Sequence, residues 1–413
     1  MRDWWISVEW KGSLRITESN FSQRSVRRRA AAGALGGAIV LALGGWDRQL
    51  PNLPESSLSP VEPSALVVLP SEVATDYATG LSGRTEWMGV WHAMCGSRRG
   101  GLSSADLTRI AKSHMDEVAR EDVRIVDTPA NGVAANFNVV FVLAASVPAA
   151  ALPAFVQAEQ YLEASFTDSI TVTIDVSYAA LASGVLGATT PFYSTKIYKD
   201  SRTALINGGD ATDTIQLLLP NTTKIGVRYG SAATITQEDR VYWTRANYKS
   251  TVGTVTGNDA SMQFSSTFTW DYDPTNGMTA GSTSFVDVVI HEVGHALGCV
   301  CGAGVWTKDM SSLDLFRFQY TDGTADYNPD TNAEFTARPR LVASNTPNDS
   351  HHIDFVTVEY RMSDGSPYQA SHLREETPSL GLMDPALGTG VTNYPDYFTT
   401  KDFALFDAIG WDR

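Results

Sequence analysis

The chain has 413 residues with 46 acidic against 31 basic side chains, and its formal net charge of −15 repels phosphate backbones and argues against nucleic-acid binding. A hydrophobic content of 43% supplies enough apolar surface for a large core, so disorder is not expected. Three cysteines, Cys95, Cys299 and Cys301, form at most one intrachain disulfide, which excludes a disulfide scaffold.

In chain order, residues 1–49 read as a leader. Residues 1–26 show no clear periodicity, but Arg27, Arg28 and Arg29 precede an uncharged run from Ala30 to Gly45 with small residues such as Ala42 and Gly44 near its end. A basic flank, an apolar stretch short of a membrane span and small residues beyond it are the pattern of an export segment at 27–45, so the chain is expected to be secreted or held in the cell envelope. The membrane then matters only for export or as an N-terminal anchor. Residues 50–84, with Pro51, Pro54, Pro60 and Pro63 among serines and glutamates, have linker composition. Residues 85–130 form an N-terminal or prosegment-like region. Within it Leu107, Ile110, Ala111, His114 and Val118 recur at helical spacing over Ser103–Ala119. His92 and His114 have no partner at ligand spacing and read as structural or exposed.

The stretch 131–298 is expected to be one subdomain. It opens with a strand at Phe137–Leu143, a helix at Pro153–Phe166 with proline in its first turn, and a strand at Ile170–Tyr178. Strand, helix, strand predicts a sheet with helices packed on it. Short helices are expected at Ser201–Ile206 and Ala211–Leu219. Ser261–Trp270 alternates as a strand, and as an edge strand it is a candidate for pairing with a peptide.

The next helix, Ser284–Leu297, carries His291-Glu292-Val293-Gly294-His295, an HExxH pattern. Residues four apart share a helix face, so both imidazoles can meet one ion, while Glu292 is turned toward the remaining coordination position. A bound zinc ion acidifies water, and a neighbouring carboxylate serves as general base. Gly298 stands where the helix should stop. In the bland alternative the two histidines are incidental. Against it, His291 lies among Val288, Val289, Ile290 and Val293, where a ring without a partner is costly to bury.

From His291 to Gly298 the sequence resembles the metzincin peptidases, whose motif continues HExxHxxGxxH, but Cys301 stands where the last histidine belongs. Three readings follow: Cys301 is the third ligand, the third ligand lies further along, or the site is inactive. Ala370-Ser371-His372-Leu373 followed by Gly381-Leu382-Met383-Asp384-Pro385 resembles the leishmanolysin-type branch, in which a long insertion precedes the third histidine and a Met-turn. The resemblance implies His372 as third ligand, Met383 as the apolar floor beneath the metal, and a closing helix over Thr399–Trp411 with Asp402 in its capping position. His351 and His352, read as an exposed loop pair, are the runner-up ligands. Asp309 and Asp314 read as insertion residues, Asp314 capping or pairing within the insertion. Residues 299–413 thus form a C-terminal subdomain with insertion, third histidine, Met-turn and last helix.

The expectation is an α+β, metzincin-like zincin with a twisted mixed sheet. Its function is expected to be that of a zinc-dependent endopeptidase, with Zn2+ on His291, His295 and His372, Glu292 as general base and a protein or peptide as substrate. The alternative is an inactive envelope binding module with a structural metal.

Overall fold

The computed structural model describes residues 4–10, 14–20, 67–68, 93–96, 124–127, 136–209, 214–229, 234–301, 310–319, 325–329, 331–342, 351–354, 359–364 and 368–413. The export segment at 27–45, the helix expected at 103–119, His92, His114 and Asp309 fall outside them. Two units divide the chain, 1–61 and 62–413. In the first, β1 (Trp4–Trp10) and β2 (Leu14–Asn20) make an antiparallel hairpin where no periodicity was expected. Among the described residues no helix is long and apolar enough to cross a membrane.

The second unit is α+β, built on a mixed seven-stranded sheet. Its strands are β3 (Val67–Val68), β4 (Ala93–Gly96), β5 (Arg124–Val126), β6 (Phe137–Leu143), β7 (Ile170–Ala179), β8 (Val185–Pro191) and, later in the chain, Ala260–Ser265. The order across the sheet is β3, β5, β6, β7, Ala260–Ser265, β8, β4. Strands β6 and β7 pair in parallel, as does β7 with Ala260–Ser265, whereas β8 runs antiparallel to its neighbour. A parallel pair needs a crossover, and α1 (Leu152–Ser165) supplies it. Both expected strands and this helix are found within a residue or so of their predicted bounds, because each is a short run with an unambiguous period.

The strand expected at Ser261–Trp270 ends at Ser265 and lies inside the sheet, so it cannot serve as a docking edge for a peptide. Its alternation suggested one wet face. In fact all six residues are buried, and polar members bond within the sheet, as Gln263 Nε2 does to Ser177 Oγ at 3.2 Å. The edge beside β8 is taken by β4, with Cys95 opposite Gly187.

Beyond β8 come α2 (Tyr198–Gly208), α3 (Arg245–Thr251) and α4 (Phe285–Ala296). The helix expected at 211–219 is a 3-10 turn at Ile215–Leu218, with 210–213 outside the described residues. Every residue of α4 is buried, which fits a helix whose non-polar residues surround the axis. Phe285 at its start meets Phe155, Phe264 and Trp270 edge-on, centroids 4.9–5.3 Å apart. Near the C-terminal end of the chain, α5 (Asn332–Ala337) and α6 (Thr400–Ala408) follow. Thr399 and Asp402 cap α6 reciprocally, as the sequence predicted. Trp411 then donates from Nε1 to Leu297 O at 2.8 Å, fastening the closing segment to the end of α4.

Candidate functional site

Helix α4 begins where the Ser284 side chain accepts the Asp287 amide. The Asp287 carboxylate in turn takes the Ser284 hydroxyl, Thr392 Oγ1 (2.7 Å), Asn393 N (2.7 Å) and Asn393 Nδ2 (2.9 Å). Negative charge is favourable at a helix N-terminus, and here it also holds the 392–393 segment against the helix. At the other end Gly298 has φ +121°, a conformation that side chains resist. The resulting turn returns Cys299 N to Gly294 O (3.0 Å) and swings Cys299 O onto His295 Nδ1 (2.7 Å).

His291 and His295 share one face of α4, and His372 joins them from 77 positions beyond His295. The Nε2 of His295 lies 3.0 Å from that of His291 and 3.2 Å from that of His372. On its other side each ring turns Nδ1 to a backbone carbonyl: Leu382 O at 2.7 Å for His291, Cys299 O at 2.7 Å for His295 and Gln369 O at 3.1 Å for His372. A carbonyl only accepts, so each Nδ1 carries the proton. Burial pushes His291 down to about 4 and His372, also facing His291, to about 3. His295 is depressed further, by burial and then by its two neighbours. The rings are therefore neutral, and three bare Nε2 lone pairs face one another with no proton to share. A cation relieves that arrangement. Zinc–nitrogen bonds of about 2.0–2.1 Å at tetrahedral angles put ligand atoms roughly 3.3 Å apart, close to the separations seen. Among the described residues these three form the group of histidine, cysteine and acidic side chains near enough to share an ion.

Glu292 is fully buried beside this cluster. Its Oε2 accepts the Thr189 hydroxyl at 2.6 Å, and Thr189 Oγ1 also lies 3.0 Å from Glu292 O. A Cβ on Gly187, one pleat away on β8, would stand 2.8 Å from Glu292 Oε1. Strand β8 thus cradles the carboxylate through a hydroxyl and a missing side chain, and neither was visible in the HExxH pattern. Gly187→Ala is expected to push the carboxylate aside, leave folding and metal content intact, and cost roughly 10²-fold in kcat of any hydrolysis that uses it. Steady-state kinetics beside metal analysis checks this.

Met383 is buried and packs against α4 at Gly294. A Cβ on Gly294 would meet its sulfur at 2.5 Å, so the glycine inside HExxH makes room for the thioether. Met383 O accepts Leu373 N at 2.9 Å, linking this turn to the residue after His372. The turn is held from below by Asp402, whose oxygens accept Leu382 N (2.9 Å), Met383 N (2.9 Å) and Thr399 N (2.7 Å). Asp402 was legible as a helix cap; its grip on the Met383 turn was not.

Cys301 is not in the cluster. Its sulfur takes Arg317 Nη1 at 2.7 Å, and its amide donates to Ser371 Oγ at 3.1 Å. It shapes the loop that carries His372. Among the described residues neither Cys299 nor Cys301 is in a disulfide. The pair His351 and His352, expected in an exposed loop, instead belongs to a strand, His351–Asp354, paired with Arg317–Gln319 and Glu359–Met362. Asp314 pairs locally, accepting Ser311 N (2.8 Å) and Ser311 Oγ (2.9 Å), and the turn it sits in has no side-chain cap.

Beside His291 a cavity of about 240 Å³ opens between α4 and the segment 379–393. Asp384 lines it, and burial pushes this carboxyl up to about 7 against hydrogen bonds from Ser379 and Leu380. No protein-family model, no curated protein and no solved structure matches the chain, and its function has to be read from these side chains.

Proposed function

We propose that the chain is a zinc-dependent endopeptidase of the metzincin kind, with leishmanolysin-like separation of its third histidine. The observation that carries the reading is the convergence of three neutral, buried Nε2 atoms beside a buried carboxylate. His291, His295 and His372 would hold the ion, each ring fixed by its carbonyl. When bound, zinc acidifies a water molecule and polarises the scissile carbonyl. Glu292 receives the proton of the attacking water and delivers it to the leaving amine, and Thr189 keeps the carboxylate oriented. Met383 presents an apolar underside that excludes water there. The competing reading, a binding module with a closed structural ion, needs a fourth protein donor, and the Cys301 thiol is engaged by Arg317 instead. Export is part of the proposal on the strength of the 27–45 segment alone.

Removing zinc with a chelator should abolish cleavage of an unfolded protein such as casein, and stoichiometric zinc should restore it. Cleavage that survives in the metal-free chain would sink the proposal.

A further inference from the structure

The cavity beside His291 has one wall from α4 and the other from the segment 379–393 that contains Met383. Val288, Leu382, Ala386, Leu387 and Val391 give it an apolar lining. Two carboxylates and no Lys or Arg are among its lining residues. One of the two, Asp287, is spent on Ser284, Thr392 and Asn393. The other differs. Asp384 is 4% exposed, its Oδ2 accepts Leu380 N at 3.0 Å, and its Oδ1 has no hydrogen-bond partner. A buried acceptor left unpaired is costly, and the cost is recovered when a donor arrives. The charges of Glu375 and Asp402 add to the negative potential at this carboxyl.

A cavity of about 240 Å³ is below the size of a drug-like ligand site and suits one long side chain. Because His291 is shared between the cavity and the histidine cluster, a chain crossing the cluster would drop a neighbouring side chain into it. We infer that this cavity is a specificity subsite, in which the apolar walls take the methylene stem and Asp384 takes the cationic head of a lysine or arginine flanking the scissile bond. The inference rests on the peptidase reading and deepens it by naming the substrate class.

The test uses the full chain in two arms. In the first, zinc-loaded protein meets a peptide library in which Lys, Arg, norleucine and Glu are exchanged at each position. Cleavage should favour Lys or Arg over norleucine by about tenfold or more at one position next to the cut bond, the scale of one charge-assisted hydrogen bond. In Asp384→Asn that ratio should fall toward one. In the second arm, butylguanidinium is titrated into metal-free protein by calorimetry. It should bind at least about tenfold more tightly than 1-pentanol, and Asp384→Asn should erase the difference. Peptides cut without preference for a basic residue, or a preference that Asp384→Asn leaves unchanged, would overturn the subsite and leave the peptidase standing. Failure to cut any peptide, with zinc bound, would overturn the peptidase and the subsite with it. Equal binding of the two small molecules also overturns the subsite, whether or not the variant folds.

Discussion

Glu292→Gln is expected to lower kcat by about 10²–10⁴-fold, the usual contribution of a positioned general base, while the protein still binds one equivalent of zinc. Glutamine keeps the shape of the side chain and can still accept the Thr189 hydroxyl, so the pocket formed by β8 and α4 is preserved. What it lacks is the capacity to take a proton from water. The three histidines are untouched, and each remains oriented by its own carbonyl. Metal analysis with single-turnover kinetics on one preparation separates the two effects. Unchanged turnover in a zinc-replete Gln variant would remove Glu292 from the chemistry. A general-base role also predicts that the residual rate loses the acid limb of its pH profile.

His372→Ala is expected to weaken zinc binding by more than about 100-fold, since even the partners that orient a ligand are worth about 10–100-fold. Cys301→Ser should bind zinc as the parent does. The two variants divide the readings left open by the sequence, in which Cys301 occupies the position of the third metzincin histidine. In the structure the Cys301 sulfur accepts from Arg317, and the serine oxygen can take over that role. Equilibrium dialysis against a zinc buffer gives both affinities. Should the serine variant lose zinc and the alanine variant keep it, the assignment of the third ligand would be reversed. X-ray absorption offers an independent check: sulfur in the coordination shell contradicts the three-imidazole site.

The parts of this site that were legible in sequence are those with a local period. Four-residue spacing put His291 and His295 on one face, a glycine marked the end of α4, and Thr399 with Asp402 marked the start of α6. His372 and Met383 came from resemblance, since nothing in the sequence between His295 and His372, 77 positions apart, states that the two segments will meet. Gly187 and Thr189 were invisible because their roles depend on which strand lies beside α4, a long-range choice. The same limit explains Ala260–Ser265. Alternation of Ser261, Met262, Gln263 and Phe264 reports polarity on two faces, and cannot tell a wet face from one covered by its own hydrogen-bonded side chains. His351 and His352 read as a loop because a strand of four residues carries too short a pattern to recognise.

The carbonyl behind each histidine has a thermodynamic consequence. In a zinc finger the unliganded peptide is unfolded, so uptake of the ion and folding are one event. Here the rings are already aimed by Leu382, Cys299 and Gln369, and the loops that bear those carbonyls are tied down by Asp402, Gly298 and Ser371. Under the proposed zinc reading, chelation is expected to leave a folded protein whose melting temperature rises with free zinc according to mass action, as thermal melts across a series of zinc buffers would register.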